Sequence, residues 1–329
     1  MNRNSVSRAS VPVLLILITI FFSSSCSREK SVTIAEQYGL AYAPLQIMRA
    51  QGYFEQSAPE LEINWIKLGN TAAIREAVVA GEVDLGFMGL PPFLIGADHG
   101  MDWKLIAGLS ICPVGLVAGD AIAEGRDSSG LDAVNPSHRI ALPQPGSIQH
   151  ILLSMAAERE YGDAARFDDS LVTMKHPDGM TALLSGAVDA HFTSPPYIFL
   201  ENDAEAVDGS GFQTVLSGFD AFGGEFTFIG AMAAGGFIED DAELLEAFLQ
   251  AIEQSVDFIN NSPEEAAGLL SASYDMPAGQ ILSYISREDM KYTTEIFGLE
   301  RFIEFMNEQG YLSGEITSAD VTLRGYRAQ

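Results

Sequence analysis

Four segments place small, hydrogen-bonding residues where a strand-like run hands over to a helix-like one. They are Gly69-Asn70-Thr71, Gly89-Leu90-Pro91, Gly146-Ser147 and Thr193-Ser194-Pro195. Such junctions expose unpaired backbone N–H groups and the positive end of a helix dipole. Several converging on one cleft would hold an anion without a buried cation. Each alone is an ordinary helix cap. Four together, at the carboxyl ends of strands in an open α/β sheet, lie where ligands bind. The candidate contacts are Asn70, Thr71, Gly89, Ser147, Thr193 and Ser194. Tyr38 and Tyr42 add a second chemistry. They flank Gly39 in a loop after a strand, a setting for ligand stacking rather than for the core. Phe87, Phe93, Phe192, Tyr197 and Phe222 are further aromatic candidates, and Glu36 and Glu225 are possible anchors for an amine. The helix-end caps favour a small oxyanion and Tyr38 and Tyr42 a flat heteroaromatic; no Lys or Arg lies within the four junctions, which weakens the bare-anion reading a little.

Catalytic patterns are missing. The chain has no GxSxG, no HExxH, no P-loop and no Cys–His pair at ligand spacing. Its five histidines, His99, His138, His150, His176 and His191, are scattered. His191 falls two residues before Thr193's junction and could reach a cleft, although a neutral structural histidine is the plainer role. The reading is of a binding protein, not an enzyme, with no cofactor and no metal.

The elements that must position these groups alternate between strand and helix, the signature of a layered, largely parallel α/β sheet. Strands are expected at 31–35, 61–68, 83–87, 103–111, 114–118, 139–142, 171–175, 188–192 and 226–233. Helices are expected after Pro44, over 72–81, after Pro91-Pro92, over 148–162, over 178–185 and after Pro195-Pro196. From Asp240 onward the apolar spacing is helical throughout, and this block is expected to pack on the first lobe without site chemistry. One phrase occurs twice. Residues 77–96 read AVVAGEVDLGFMGLPPFLIG and residues 182–201 read ALLSGAVDAHFTSPPYIFLE. At one offset, Gly81 falls on Gly186, Asp84 on Asp189, Phe87 on Phe192 and Pro91 on Pro196. The separation is too long for a solenoid repeat and implies two similar lobes with a cleft between them.

The amino-terminal segment reads as an export signal. Arg3 and Arg8 precede an apolar run over 11–22, short for a membrane span but suited to a signal peptide. Ser23, Ser24 and Ser25 then lead to Cys26, which is expected to be lipidated after cleavage at residues 1–26. The full chain carries a net charge of −27, and loss of the signal removes two arginines and no acid. Such a field repels nucleic acid and anionic membrane surfaces. Cys112 is then the lone cysteine, so a monomer has no disulfide and packing carries its stability.

The succession YGLAYAPLQIMRAQGYFE, LGNTAAIREAVVAGEVDLGFMG, LPQPGSIQHILL, GAVDAHFTSPP and SPEEAAGLL resembles the periplasmic solute-binding proteins of nitrate/sulfonate/taurine-type ABC importers. That class includes binders of thiamine-precursor pyrimidines. The likeness spans nearly the whole mature chain. It implies a two-lobed, type II-like clamshell, each lobe a mostly parallel sheet flanked by helices, with a helical carboxyl-terminal region. The lobes are expected at 31–117 with 230–329, and at 118–229. It further implies that Tyr38, Tyr42, Asn70, Thr71, Gly89, Ser147, Thr193 and Ser194 are ligand contacts. The implied partners are a small solute, an ABC permease and its cytoplasmic ATPase. The implied form is a monomer, lipid-anchored on the periplasmic or outer face of a membrane. A ligand-sensing subunit of a membrane kinase is the alternative role. The pyrimidine-synthesising enzymes related to this class use a cysteine-rich motif and an active-site histidine. Neither is matched here, so that activity is not implied.

Overall fold

Alternating apolar and polar residues in SVTIAE make β1 (Ser31–Glu36), the start of a computed structural model that describes residues 30–119, 122, 130–205, 209, 211–314 and 316–323. The signal stretch and Cys26 lie outside the described residues. The chain continues through α1 (Ala43–Gln51), α2 (Tyr53–Ser57), β2 (Glu62–Lys67), α3 (Thr71–Val79), β3 (Leu85–Met88), α4 (Leu90–Asp98) and β4 (Trp103–Ile111). Next come β5 (Gly115–Gly119), β6 (Ile140–Leu142), α5 (Ile148–Tyr161), β7 (Leu171–Thr173), α6 (His176–Leu184), β8 (Ala190–Thr193), α7 (Tyr197–Asn202), β9 (Phe212–Ser217) and α8 (Gly218–Phe222). The return strand β10 (Ile229–Ala234) leads to α9 (Gly235–Asp240), α10 (Ala242–Asn261), α11 (Pro263–Tyr274), α12 (Ala278–Ile285), β11 (Lys291–Tyr292), α13 (Leu299–Glu308) and α14 (Ser318–Val321).

Two sheets result. The first runs β11-β4-β10-β3-β1-β2 and the second β7-β6-β8-β5-β9. Each sheet with its helices forms a lobe. In the first, β1 pairs parallel with β2 and β3, while β10 and β11 join antiparallel. In the second, β6 pairs parallel with β7 and β8, while β5 pairs antiparallel with β8 and β9. The mixed pairing follows from connectivity, because the chain leaves one sheet at β4, builds the other, and returns at β10. Central strands such as β3 are buried on both faces and read as unbroken apolar runs, whereas edge strand β2 alternates.

The repeated phrase is realised bond for bond. Gly81 and Gly186 both take φ 71° at a helix stop. Asp84 accepts a hydrogen bond at Oδ2 from Thr33 N (2.8 Å) and donates its own N–H to Thr33 O. Asp189 does the same with Arg139 N (2.7 Å) and Arg139 O. In each lobe this aspartate clamps the start of the neighbouring parallel strand.

Three expectations change. Strand β9 has no counterpart among the strands read from sequence. The carboxyl-terminal block is not all-helical, because Lys291–Tyr292 pairs with the edge of β4. Nor is it remote from the second lobe: Tyr284 meets Phe199 at a ring separation of 4.7 Å, and Tyr311 Oη lies 3.0 Å from Ser154 Oγ. It still covers the first lobe, with Phe248 of α10 packing edge-on against Phe54 and Phe87. Among the described residues no helix is long and apolar enough to cross a membrane, and no group of residues is placed to hold a metal.

Candidate functional site

Strand ends decide what can meet between the sheets. The loop after β1 carries Gln37 and Tyr38, the loop after β2 leads into α3, and the turn after β3 leads into α4. From the other lobe come the loop after β6, the start of α6 and the turn after β8. Together they bound a narrow cleft lined by Tyr38, Thr71, Gly89, Ser147, Gln149, His176 and Ser194 among others. Pro92, Pro143, Ile148 and Phe228 supply its apolar wall.

The walls touch directly. Leu40 N donates to Pro195 O across the cleft at 2.8 Å. Gly39, at φ 126°, allows this approach; a Cβ there would lie 2.9 Å from Pro195 O. Ala72 N, in the first turn of α3, donates to Gln144 Oε1 of the opposite lobe at 3.0 Å. The carboxyl-terminal block braces the same loop: Tyr274 Oη donates to Gly39 O and Tyr292 Oη to Leu40 O. That block therefore bears on the site, contrary to expectation.

Of the residues expected from sequence, Tyr38, Tyr42, Thr71, Gly89, Ser147 and Ser194 all line the cleft. Asn70 does not; its side chain caps α3 by accepting from Ala73 N at 3.0 Å. Thr193 lies buried at the end of β8, and its Oγ1 has no hydrogen-bond partner. Tyr42 departs from its expected loop character. It is 3% exposed and belongs to the core, and burial pushes its phenol far above the usual range. Tyr38 is half-buried, with Lys67 Nζ 5.5 Å and Lys175 Nζ 6.0 Å from its ring centre, one lysine from each lobe. No lysine stands in the junctions themselves, yet the fold brings two to their edge. Phe87, Phe93, Phe192 and Phe222 are core residues. Glu36 is buried beside Lys67 and Gln46, and burial outweighs the lysine to raise its carboxyl. Glu225 pairs with Lys291 on the surface. Neither glutamate lines the cleft.

Two histidines missed by sequence reasoning organise the second wall. His150 accepts from Gly146 N at Nδ1 (2.9 Å) and faces Asp168 Oδ1 through Nε2 (2.9 Å). It thereby holds the turn that delivers Ser147. His176 opens α6, lines the cleft and stacks on Tyr197 at 5.8 Å. Behind it runs a buried chain. Gln149 Nε2 lies 3.1 Å from His176 Nε2, His176 Nδ1 3.1 Å from His191 Nε2, and His191 Nδ1 2.6 Å from Glu201 Oε1. Burial, with His191 adding to it, lowers His176 well below the usual imidazole range. Burial takes His191 down to about 3 and Glu201 up to about 9. The closest contact thus joins a neutral acid to a neutral imidazole rather than an ion pair. That state fits a side chain with no exposure and an Oε2 without a partner, where a bare charge is costly.

A model of the NMT1-like family matches residues 27–271. Among solved structures, the chain is similar to the periplasmic aliphatic sulphonate binding protein SsuA of Escherichia coli. The identity is 19% and the TM-score 0.67, over 89% of this chain and 97% of that one. It is similar to the alkanesulfonate-binding protein SsuA of Xanthomonas axonopodis pv. citri bound to MOPS, at 16% identity and TM-score 0.71, over 89% and 98%. It is also similar to the periplasmic nitrate-binding protein NrtA of Synechocystis PCC 6803, at 13% and 0.67, over 89% and 85%. At these identities the likeness establishes the periplasmic-binding-protein fold. No curated protein matches the sequence.

Proposed function

The chain belongs to the NMT1-like family, and from that premise we propose that it is the solute-binding protein of an ABC importer. The observation that carries the proposal is the cleft itself, which is lined from both lobes and bridged by bonds that only closed lobes can make. The lobes divide close to residues 117 and 229. A solute entering the open form is enclosed as they close, and the closed form docks on a permease driven by its cytoplasmic ATPase. The protein binds without transforming its solute.

The cleft chemistry favours a small solute with an oxyanion head and a compact apolar body. Thr71, Gly89 and Ser147 stand at helix N-termini, Lys67 and Lys175 add positive charge at the rim, and Ile148 and Phe228 offer apolar contact. The names of the similar solved proteins, sulfonate and nitrate binders, agree with this choice. Export and a lipid at Cys26 would hold the receptor beside its permease.

A thermal-shift panel of alkanesulfonates, nitrate, taurine, pyrimidine vitamin precursors and amines tests the reading. A ligand at 100 times its Kd adds about 2.7 kcal/mol of stability. A rise confined to oxyanions supports the proposal; a rise with heteroaromatics or amines alone refutes the oxyanion assignment. Cys26→Ser should release the protein from membranes, and its retention there would refute the anchor.

A further inference from the structure

A chain of four side chains leads away from the cleft into the second lobe, and its ends differ in kind. One end, Gln149, lines the cleft; the other, Glu201, has no solvent exposure. An imidazole that donates through one nitrogen accepts through the other when neutral. The direction of every bond in the chain is therefore fixed by its first proton.

If Glu201 carries that proton, Oε1–H donates to His191 Nδ1. His191 then donates through Nε2–H to His176 Nδ1, and His176 donates through Nε2–H to the Gln149 amide. The amide then turns its oxygen to His176, the reverse of the Nε2 contact seen here, and its NH₂ faces the cleft. If Glu201 is ionised, every bond reverses and Gln149 shows the cleft its oxygen. The two ends of an amide have the same shape, so the network selects between them.

We propose that Glu201, through His191 and His176, sets the polarity of Gln149, so that the cleft offers an NH₂ donor and selects solutes carrying a hydrogen-bond acceptor at that point. The inference rests on the solute-receptor reading above. Gln149 is the specificity-determining contact, and the two histidines and Glu201 position it. Packing agrees with a fixed path. Gly179 of α6 leaves no room beside His191, since a Cβ there would lie 2.5 Å from His191 Nε2. Glu201 Oε2 has no partner, which suits a protonated acid better than a carboxylate.

Few other groups can contribute charge. From α6, His176 faces the relay, while Lys175 and Asp178 pair with each other at its exposed start. From β8 only His191 does, and Asp189, just before that strand, is turned to Arg139 N. Strands β5 and β9, packed on α7, carry no titratable side chain. Tyr197 of α7 stacks on His176, and burial raises its phenol to about 12.

The test is the ¹⁵N spectrum of protein labelled at histidine, taken without ligand. Burial holds both His176 and His191 well below the usual imidazole range. At pH 7 both are expected as Nε2–H tautomers, and both should invert to Nδ1–H as pH rises past about 9. Glu201→Gln should abolish the inversion. Nδ1–H tautomers or imidazolium at pH 7, or no inversion in the wild type, overturns the relay. Ethanesulfonate is the binding probe, and its affinity should fall about tenfold across the same inversion, as a donor becomes an opposed acceptor. Expected tautomers with no ethanesulfonate binding would refute the oxyanion reading and leave the relay standing. Binding that ignores the inversion refutes the role of Gln149.

Discussion

Gln144→Ala removes one bond that can exist only when the lobes are together. Gln144 Oε1 accepts from Ala72 N at 3.0 Å, and the residue is 7% exposed. In an open form both groups turn to water. The net worth of such a bond is about 0.5–1.5 kcal/mol, so its loss should move the closed-to-open ratio about 2- to 13-fold toward open. If the solute is retained by the closed form, its apparent Kd rises by up to the same factor. The ratio is read by energy transfer between dyes on cysteines at the exposed Glu76 and Asp169, one in each lobe. The native Cys112 is buried and its thiol is pushed up by burial, so it does not compete for label. Asn70→Ala is the control, since it removes a cap from the same helix without crossing the cleft. An unchanged distance distribution refutes the reasoning. So does tighter binding, which would mean that Gln144 occupies the donor the solute needs.

Three further outcomes are expected. Lys175→Gln should weaken an anionic solute about 2- to 5-fold at low salt, the worth of a partly exposed charge pair, and calorimetry should show the effect shrinking as salt rises. Asp84→Ala should cost about 2 kcal/mol and Asp189→Ala, at a more exposed site, about 1 kcal/mol. The double variant should lose roughly the sum, because the clamps sit in separate lobes, as urea unfolding will show. The buried acid also makes stability depend on pH. Folded Glu201 holds its proton to about 9 while the unfolded side chain loses it near 4.5, so the folded state binds more protons between those values. Stability must then fall as pH rises, most cleanly above about 8, where the imidazoles of the unfolded chain are already neutral, with a slope up to about 1.36 kcal/mol per pH unit. Glu201→Gln should remove that slope relative to wild type.

Much of this architecture is legible in the sequence because local signals and tertiary demands coincide. Gly52, Gly162 and Gly186 read as helix stops and are left-handed at helix ends. The strand–helix junctions put Thr71, Gly89, Ser147 and Ser194 at the cleft by the carboxyl-end rule alone. Asn70 and Thr193 satisfy the same rule yet do not line the cleft, since composition cannot tell which side of a turn faces inward. Lys67 and Lys175 were invisible because each belongs to an unremarkable strand end in a different lobe, and only their meeting at Tyr38 gives them meaning. The relay hid for a like reason. His176 and Glu201 lie 15 and 10 residues from His191, spacings that match no motif. Strand β9 escaped because it follows a polar stretch and packs at a sheet edge.

The antiparallel pairing of β5 with β9 has a consequence for how the chain reaches this shape. These strands are the first and last of the second sheet, so the lobe's entry and exit are zipped side by side, Gly115 opposite Ser217. In the first sheet, β4 must find β10 across roughly 115 intervening residues, a loop with a substantial closure entropy. Once the second lobe has folded, that loop is shortened to about a tenth of its length. The entropic cost of joining β4 to β10 then drops by about 2 kcal/mol. The inserted lobe acts as a staple for its host, and the kinetically economical order is inner lobe first, outer lobe second.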